Sequence, residues 1–485
     1  MAGIGWRLER LIDRGLSGAT AAYATGAAVM ALPWVLTTVV LISLPLVIGR
    51  AGADLATAGT AVTVAYAVAL IVAGPVQIVI SRYAADRLYE GRPREIESPL
   101  CRGLAATFLI CAAPATLLLL ALGVPLPVAP WGAALSAAVG AQWTALSVGN
   151  GLCSPTFVLG AVAAGSAQSF ILAAVLVVAA RLGVSGYLFG LMSGQALTLV
   201  ILLVGIFRAL PAEADERARL LPAFRDYAML AGAGLAFNAA LWADKLVAWS
   251  LVGGRAAALH SAASTIAWFS AIPCLAWVFV EVETTFHRRF RAFYVALEGG
   301  APLAELRLGV RSLVREAARL LVGAVSVQAG VILFLQLAAA PLARWLGLPL
   351  EALVPYRLLL IAAGGEAVAL LGLILLYYFD LRHEALAAAA SLLVAIALFS
   401  AGAAVAGLPT SAGTALGALF GAIATWSGVF RGIRAALENT LLVQPFGAES
   451  RMRRKKRRKR GRSSDMRNNA RLVKPKQLTV PPSKP

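Results

Sequence analysis

Residues 231–251 read AGAGLAFNAALWADKLVAWSL, an apolar run that carries the side chains best suited to chemistry: Asn238, Asp244 and Lys245. On an α-helix Asn238 and Lys245, seven residues apart, share a face, Trp242 and Trp249 repeat that spacing beside them, and Asp244 is turned about 100° away. Neighbouring positions do not face each other on a helix, so Asp244 and Lys245 are not expected to pair with one another. A charge at mid-bilayer costs roughly 3 kcal/mol and persists where it has a partner or a wet cavity. Two readings follow. Either Asn238, Trp242 and Lys245 form a surface facing sugar or phosphate, with Asp244 as an ion-pair partner or proton site, or the group is an interhelical ion pair that fixes a bundle.

Glu366 is the other isolated acid, in LLLIAAGGEAVALLGLILLYY (358–378), directly after Gly364 and Gly365. A membrane carboxyl group that takes up and releases a proton suits proton-coupled movement; a structural hydrogen bond accounts for it equally well. Gln77, Asn150, Gln168, Gln195 and Gln328 are neutral, and interhelical packing explains most of them, with Gln77 retained as a pathway candidate. Outside the apolar runs, Arg82, Asp86, Glu281, Glu283, Arg307, Arg311 and Arg315 are candidates for a gate or for contacts to a substrate head group. The four-residue recurrence of Arg307, Arg311, Arg315 and Arg319 makes a stripe suited to a pyrophosphate-lipid head group, an acidic partner surface or anionic lipid. Residues 284–298 place Phe286, Phe290, Phe293 and Leu297 along one face, the pattern of an interfacial amphipathic helix.

Enzyme signatures are missing. The sequence holds no Walker A loop, GxSxG, HExxH or DxD pair, so an enzyme is not expected. His260, His287 and His383 are scattered and resemble no ligand cluster, and Cys101, Cys111, Cys153 and Cys274 lack CxxC pairing, so neither a metal nor a cofactor is expected.

The elements that must position these residues are membrane helices. The 485 residues are 60% hydrophobic and 14% charged, with a mean hydropathy of +0.79, outside the soluble range. Apolar runs of the roughly 20 residues needed to cross a bilayer recur along the chain, without strand alternation. Twelve spans are expected near residues 19–49, 58–81, 103–123, 132–151, 156–180, 185–207, 227–252, 259–281, 320–340, 356–379, 385–406 and 413–431. The expected fold class is an all-α polytopic membrane protein, with six-helix lobes at 1–207 and 227–447, a linker at 208–226 and a disordered tail at 448–485. The first run, preceded by Arg7, Arg10 and Arg14, is too long for a signal peptide and reads as a retained span.

Charge orients the chain. Of the 43 Lys and Arg, 37 fall on the N-terminal side of that topology and five (Arg50, Arg181, Arg255, Arg344, Arg357) on the other, which places both termini in the cytoplasm of a bacterium. Residues 451–485 carry 15 Lys or Arg against Asp465 alone, leaving five of the net +19 for the rest. The stretch RMRRKKRRKRGR at 451–462 reads as a tether to anionic lipid rather than a nucleic-acid site. Pro75 and Pro273 stand at corresponding places in the two halves, a faint echo of the repeats from which alternating-access transporters are built.

The sequence resembles the PelG family, the membrane transporter component of Pel-type exopolysaccharide synthesis. The resemblance rests on MAGIGWRLERLI (1–12), SGATAAYATGAAVMALPWVL (17–36), GPVQIVISRYAADRLYEG (74–91), FNAALWADKLVAWSL (237–251), IPCLAWVFVEVETTF (272–286), FYVALEGGAPLAEL (293–306) and YYFDLRHEAL (377–386). It implies two six-helix lobes around a central cavity and export of a hexosamine-rich polymer made by a separate cytoplasmic glycosyltransferase, in a complex with other membrane subunits. The match at Trp242, Asp244, Lys245, Glu281 and Glu283 marks those positions as family-like without assigning roles. The long basic tail is not a family feature. Three other readings compete: a membrane polymerase or ligase of surface sugars, which would carry a large outer loop; a cation-coupled small-molecule exporter; and a non-transporting scaffold of a polysaccharide synthase.

Overall fold

A computed structural model describes residues 15–49, 52, 54–211, 220–345 and 349–443. Expectations for Arg7, Arg10 and Arg14, the opening motif at 1–12, residues 212–219 of the linker and the basic tail at 448–485 lie outside the described residues.

Every regular element among the described residues is helical. The first group comprises α1 (Leu16–Gly49), α2 (Leu55–Tyr89), α3 (Glu97–Ala121), α4 (Ala129–Leu152), α5 (Pro155–Val178) and α6 (Gly183–Ala209). After the short α7 (Leu220–Asp226) come α8 (Ala228–Val247), α9 (Gly254–Trp268), α10 (Ile272–Glu281), α11 (His287–Glu298), α12 (Leu303–Trp345), α13 (Leu353–Tyr378), α14 (Arg382–Val405) and α15 (Thr410–Val443). A π-turn at Ala248–Val252 extends α8, and α9, α10 and α11 run on through a 3-10 turn at Phe269–Ala271 and a π-turn at Val282–Phe286. Buried Ala, Val, Leu and Ile side chains hold the first group together in two clusters, one around Leu44, Leu119 and Leu188 and one around Ile80, Leu100 and Leu202.

Eleven segments are long and apolar enough to cross a membrane. The expected fourth span is not among them, although α4 is a 24-residue helix. Its buried Ser136, Gln142 and Thr144 dilute its hydropathy, and it packs against α2, α3 and α6. A helix wrapped by its neighbours exposes little surface to lipid and needs little lipid-like character.

Two helices are longer than hydropathy suggested. At 43 residues α12 is about 64 Å long, twice a hydrocarbon core, so its first turns stand outside the membrane. Residues 284–298 do not form a separate amphipathic helix. They continue the α9–α10 helix outward, and their apolar face is already covered. Phe286 and Phe293 are buried, Phe286 and Phe290 pack on Tyr378 and Phe379, and Phe293 fills the space over Gly309 of α12. The proline echo also differs in form: α2 passes through Pro75 unbroken, whereas Pro273 follows the 3-10 turn. Below, the end of the bundle that carries the Arg82–Arg102 and Arg288–Arg319 segments is called the basic face.

Candidate functional site

The two helix groups meet along two pairs, α1 on α10 and α2 on α8. The second crossing is a backbone contact. A Cβ on Gly74 would stand 3.0 Å from the Gly234 carbonyl oxygen, and one on Gly234 would stand 2.9 Å from the Gly74 carbonyl oxygen. Asn238, one turn beyond Gly234, donates to the Gly234 carbonyl at 2.9 Å and covers Gly74. It therefore sits in the seam about 10 Å along α8 from Lys245. The α1–α10 seam repeats the arrangement, with Gly26 under the Ala276 carbonyl and Phe279, and it carries an aromatic contact of Trp34 with Trp268 and Phe269.

Deeper along α8, about 24 Å from its start at the basic face, is a buried charge cluster. Asp244 is 1% exposed. Its Oδ1 lies 3.0 Å from Lys245 Nζ and its Oδ2 lies 2.9 Å from Nε2 of the equally buried His260 on α9. Asp244 and Lys245 do pair, contrary to the helical-face argument. The four-carbon stem of Lys245 folds back over its own turn, where Nζ also donates to the Leu241 carbonyl at 2.9 Å. Facing rules describe Cβ directions, whereas a desolvated ammonium takes the nearest acceptor its stem can reach. Nζ also stands 5.9 Å from the centroid of the Trp242 ring.

Glu366 joins this cluster from α13. It is buried, lies beside the Trp268 side chain, and interacts electrostatically with both Asp244 and Lys245. The glycines before it let α13 sit tightly between neighbours: Gly365 lies against the Ala418 backbone and Gly364 against Gln328 and Ile332. Four ionisable groups from three helices thus share one largely buried site. With Lys245 and Asp244 charged, neutrality requires one proton shared between Glu366 and His260. With that proton the cluster is neutral and without it the cluster carries one net buried negative charge, so loss of the proton has to be coupled to entry of water or of a cation. Sequence reasoning missed His260. Among the described residues no three His, Cys, Asp or Glu side chains are placed to hold a metal ion.

Gln77 is half-buried on α2, one turn above the Gly74 contact, and its Nε2 has no partner among the described residues. Nearer the basic face the same seam ends in a polar latch. Asp86 lies 3.2 Å from Arg82 and accepts a 2.6 Å hydrogen bond from the Tyr227 hydroxyl; burial, and then the Asp86 carboxylate, push that phenol up, so it remains a donor. Arg82 reaches Asp380 at 3.7 Å, and Arg382 pairs with Asp380, stacks over Tyr227 and donates to the Asp226 carbonyl. Asp380 holds a left-handed backbone (φ 54°) that turns its carboxylate into this group. Tyr227, Asp380 and Arg382 were not expected. Tyr227→Phe removes one hydrogen bond of about 1 kcal/mol. It is expected to raise the alkylation rate of a cysteine at position 77 a few-fold while export is largely kept; an unchanged rate shows that the latch does not hold the seam.

A second latch closes the other seam. The Tyr23 hydroxyl donates to Glu281 at 3.4 Å, Glu281 lies 2.5 Å from Arg319, and the buried Glu316 binds both Arg319 and Arg289. Glu283 stands apart, buried within its own group and accepting from the Tyr378 hydroxyl at 3.3 Å. Arg307, Arg311 and Arg315 are exposed on α12 and make no ion pair among the described residues.

The model of the PelG family, described as "Putative exopolysaccharide Exporter (EPS-E)", matches residues 1–434. The chain belongs to the PelG family. No curated relative matches it. Among solved structures, a MATE transporter crystallised with MaL6 superposes with a TM-score of 0.63 at 15% identity, over 86% of this chain and 97% of that one. The Vibrio cholerae MATE transporter VcmN in its bent form gives 0.60 at 16% identity, over 86% and 99%. An outward-facing multidrug resistance MATE family transporter of the MOP superfamily gives 0.61 at 15%, over 86% and 96%. The fold is the two-lobed MATE-like transporter fold. This PelG-family chain is a multi-pass membrane transporter and not an enzyme.

Proposed function

We propose that the chain exports a polysaccharide, or a sugar unit carried on a lipid, from the cytoplasm across a bacterial inner membrane by alternating access. The lobes at 1–207 and 227–447, joined by 208–226, rock about the two seams, and α4 completes twelve crossings with both termini in the cytoplasm. The arginine distribution supports that orientation, which makes the basic face cytoplasmic. A separate cytoplasmic glycosyltransferase and other membrane subunits supply the substrate, and the basic tail rests on anionic lipid.

The observation that carries this reading is the placing of two breakable polar latches where the seams reach the basic face, above a buried charge cluster. Partly exposed ion pairs contribute about 0–1 kcal/mol each, so a modest differential affinity for substrate suffices to open them. With the latches closed, opening of the opposite face brings the Asp244 cluster to water, and a proton exchanged there drives the return. In a strain lacking this chain, polymer is expected to be made and retained inside, with secretion restored by the intact chain; secretion persisting without it would overturn the proposal.

Arg307, Arg311 and Arg315 guide the substrate head group toward the seam. On α12, Arg315 stands about 7 Å and Arg307 about 20 Å before the apolar run that opens at Leu320, against an interfacial layer of roughly 5–7 Å. Arg315→Gln is therefore expected to lower export several-fold and Arg307→Gln hardly at all, at equal abundance in membranes. Equal effects would reassign the stripe to a soluble partner. A second reading, cation-coupled export of small molecules, draws on the same cluster and on the multidrug neighbours; it predicts altered resistance to toxic compounds with polymer secretion intact.

A further inference from the structure

On the lipid side of the second lobe, α14 and α15 are joined by a glycine zipper that comes apart. Gly413, Gly417 and Gly421 lie directly against the backbone of Phe399, Ile396 and Leu392. Seven residues further, nothing stands within 4 Å of a Cβ on Gly428, and at Gly432 the Leu381 side chain, just before α14, closes in again. Between these contacts is a groove of about 560 Å³ lined by His383, Glu384, Ser391, Ile423, Gly428 and Arg431.

The groove is polar at one end. His383 and Glu384 open α14 at the basic face, and Arg431 faces them from α15; none of the three makes an ion pair among the described residues. From there the groove descends about 12–16 Å into the apolar layer, to Ser391 on one wall and the exposed Phe420 and Ile423 on the other. A partner helix would leave a guanidinium and a carboxylate to be matched separately. One lipid molecule matches both.

We infer that this groove binds a phospholipid with a primary-amine head group, its phosphate on Arg431 and His383, its ammonium on Glu384, and an acyl chain along Ser391, Ile423 and Gly428. Arginine binds phosphate through a planar fork of donors, and a carboxylate takes an ammonium in a charge-assisted hydrogen bond. A choline head group has no N–H to give Glu384, and a glycerol head group has no cation.

The test is native mass spectrometry of the full chain, purified in detergent and offered equal amounts of phosphatidylethanolamine, phosphatidylcholine and phosphatidylglycerol. Phosphatidylethanolamine is expected to be retained several-fold over the other two. Glu384→Gln should reduce it to the phosphatidylcholine level, Arg431→Gln should lower all three, and Gly428→Leu, which fills the groove, should expel the lipid while the melting temperature shows the variant folded. Soluble glycerophosphoethanolamine should not displace it. Equal retention, preference for phosphatidylglycerol, displacement by the head group alone, or a dimer with the groove covered and no lipid retained would each overturn the assignment, as would an ethanolamine preference surviving in Glu384→Gln.

Discussion

Asp244→Asn is expected to reduce export to background, and the double variant Asp244→Asn/Lys245→Gln, at unchanged membrane abundance, is expected not to restore it. The single change alone is ambiguous. Asp244 is 1% exposed and holds Lys245 and His260 at 3.0 and 2.9 Å, so removing its charge strands a buried ammonium, a loss of about 3–5 kcal/mol. The double variant removes both charges, and replacing a whole buried pair is often neutral for stability. If the pair only fixes α8 against α9, the double variant folds and exports. If the cluster trades a proton during transport, the double variant folds and stays silent. Glu366→Gln keeps an amide that can meet Trp268 but removes the titrating group, and it is expected to behave as the double variant does. Secreted polymer normalised to immunoblotted chain decides between the two.

The bundle was legible in the sequence because lipid imposes one rule on every span. The expected runs at 356–379 and 385–406 fall within a few residues of α13 and α14. Where the discrepancy is larger, at 259–281 against the helix through Glu298 and at 320–340 against α12, the cause is physical. Hydropathy marks the part of a helix that touches lipid, whereas α11 and the start of α12 remain helical beyond it by packing on protein, Phe290 on Tyr378 and Phe379 and Phe293 on Gly309. In α4 the same rule fails in the other direction, since protein neighbours replace lipid around Gln142 and Thr144.

The site was legible where charge is costly and hidden where it is ordinary. Asp244, Lys245 and Glu366 stood out because acids and amines are rare inside apolar runs, and the structure brings all three together. His260 lies in a locally polar stretch, HSAAST, and nothing in its own surroundings reveals that α9 folds back to place it on Asp244, 16 residues away. Tyr227, Asp380 and Arg382 lie at helix ends, where polar residues are the norm. Only the pairing of α2 with α8 shows that they meet Asp86 and Arg82.

That pairing gives the second large effect: Gly234→Leu is expected to abolish export in a folded, abundant protein by holding the lobes apart at the basic face. A Cβ there would stand 2.9 Å from the Gly74 carbonyl and 2.8 Å from Ile78, and the backbone on the far side cannot yield as a flexible side chain could. Leucine is also a better helix former than glycine by roughly 0.5–1 kcal/mol, so α8 itself does not suffer. Gly232 is the control, since its Cβ would meet only the Leu386 side chain, at 3.1 Å, and Gly232→Ala is expected to export normally. The readout is alkylation of Gln77→Cys from the basic face, with Cys101 and Cys153 replaced by Ser. Wedged lobes expose position 77 and raise the rate well above that of the control. Normal export by Gly234→Leu with an unchanged rate would show that the transport cycle never closes this seam.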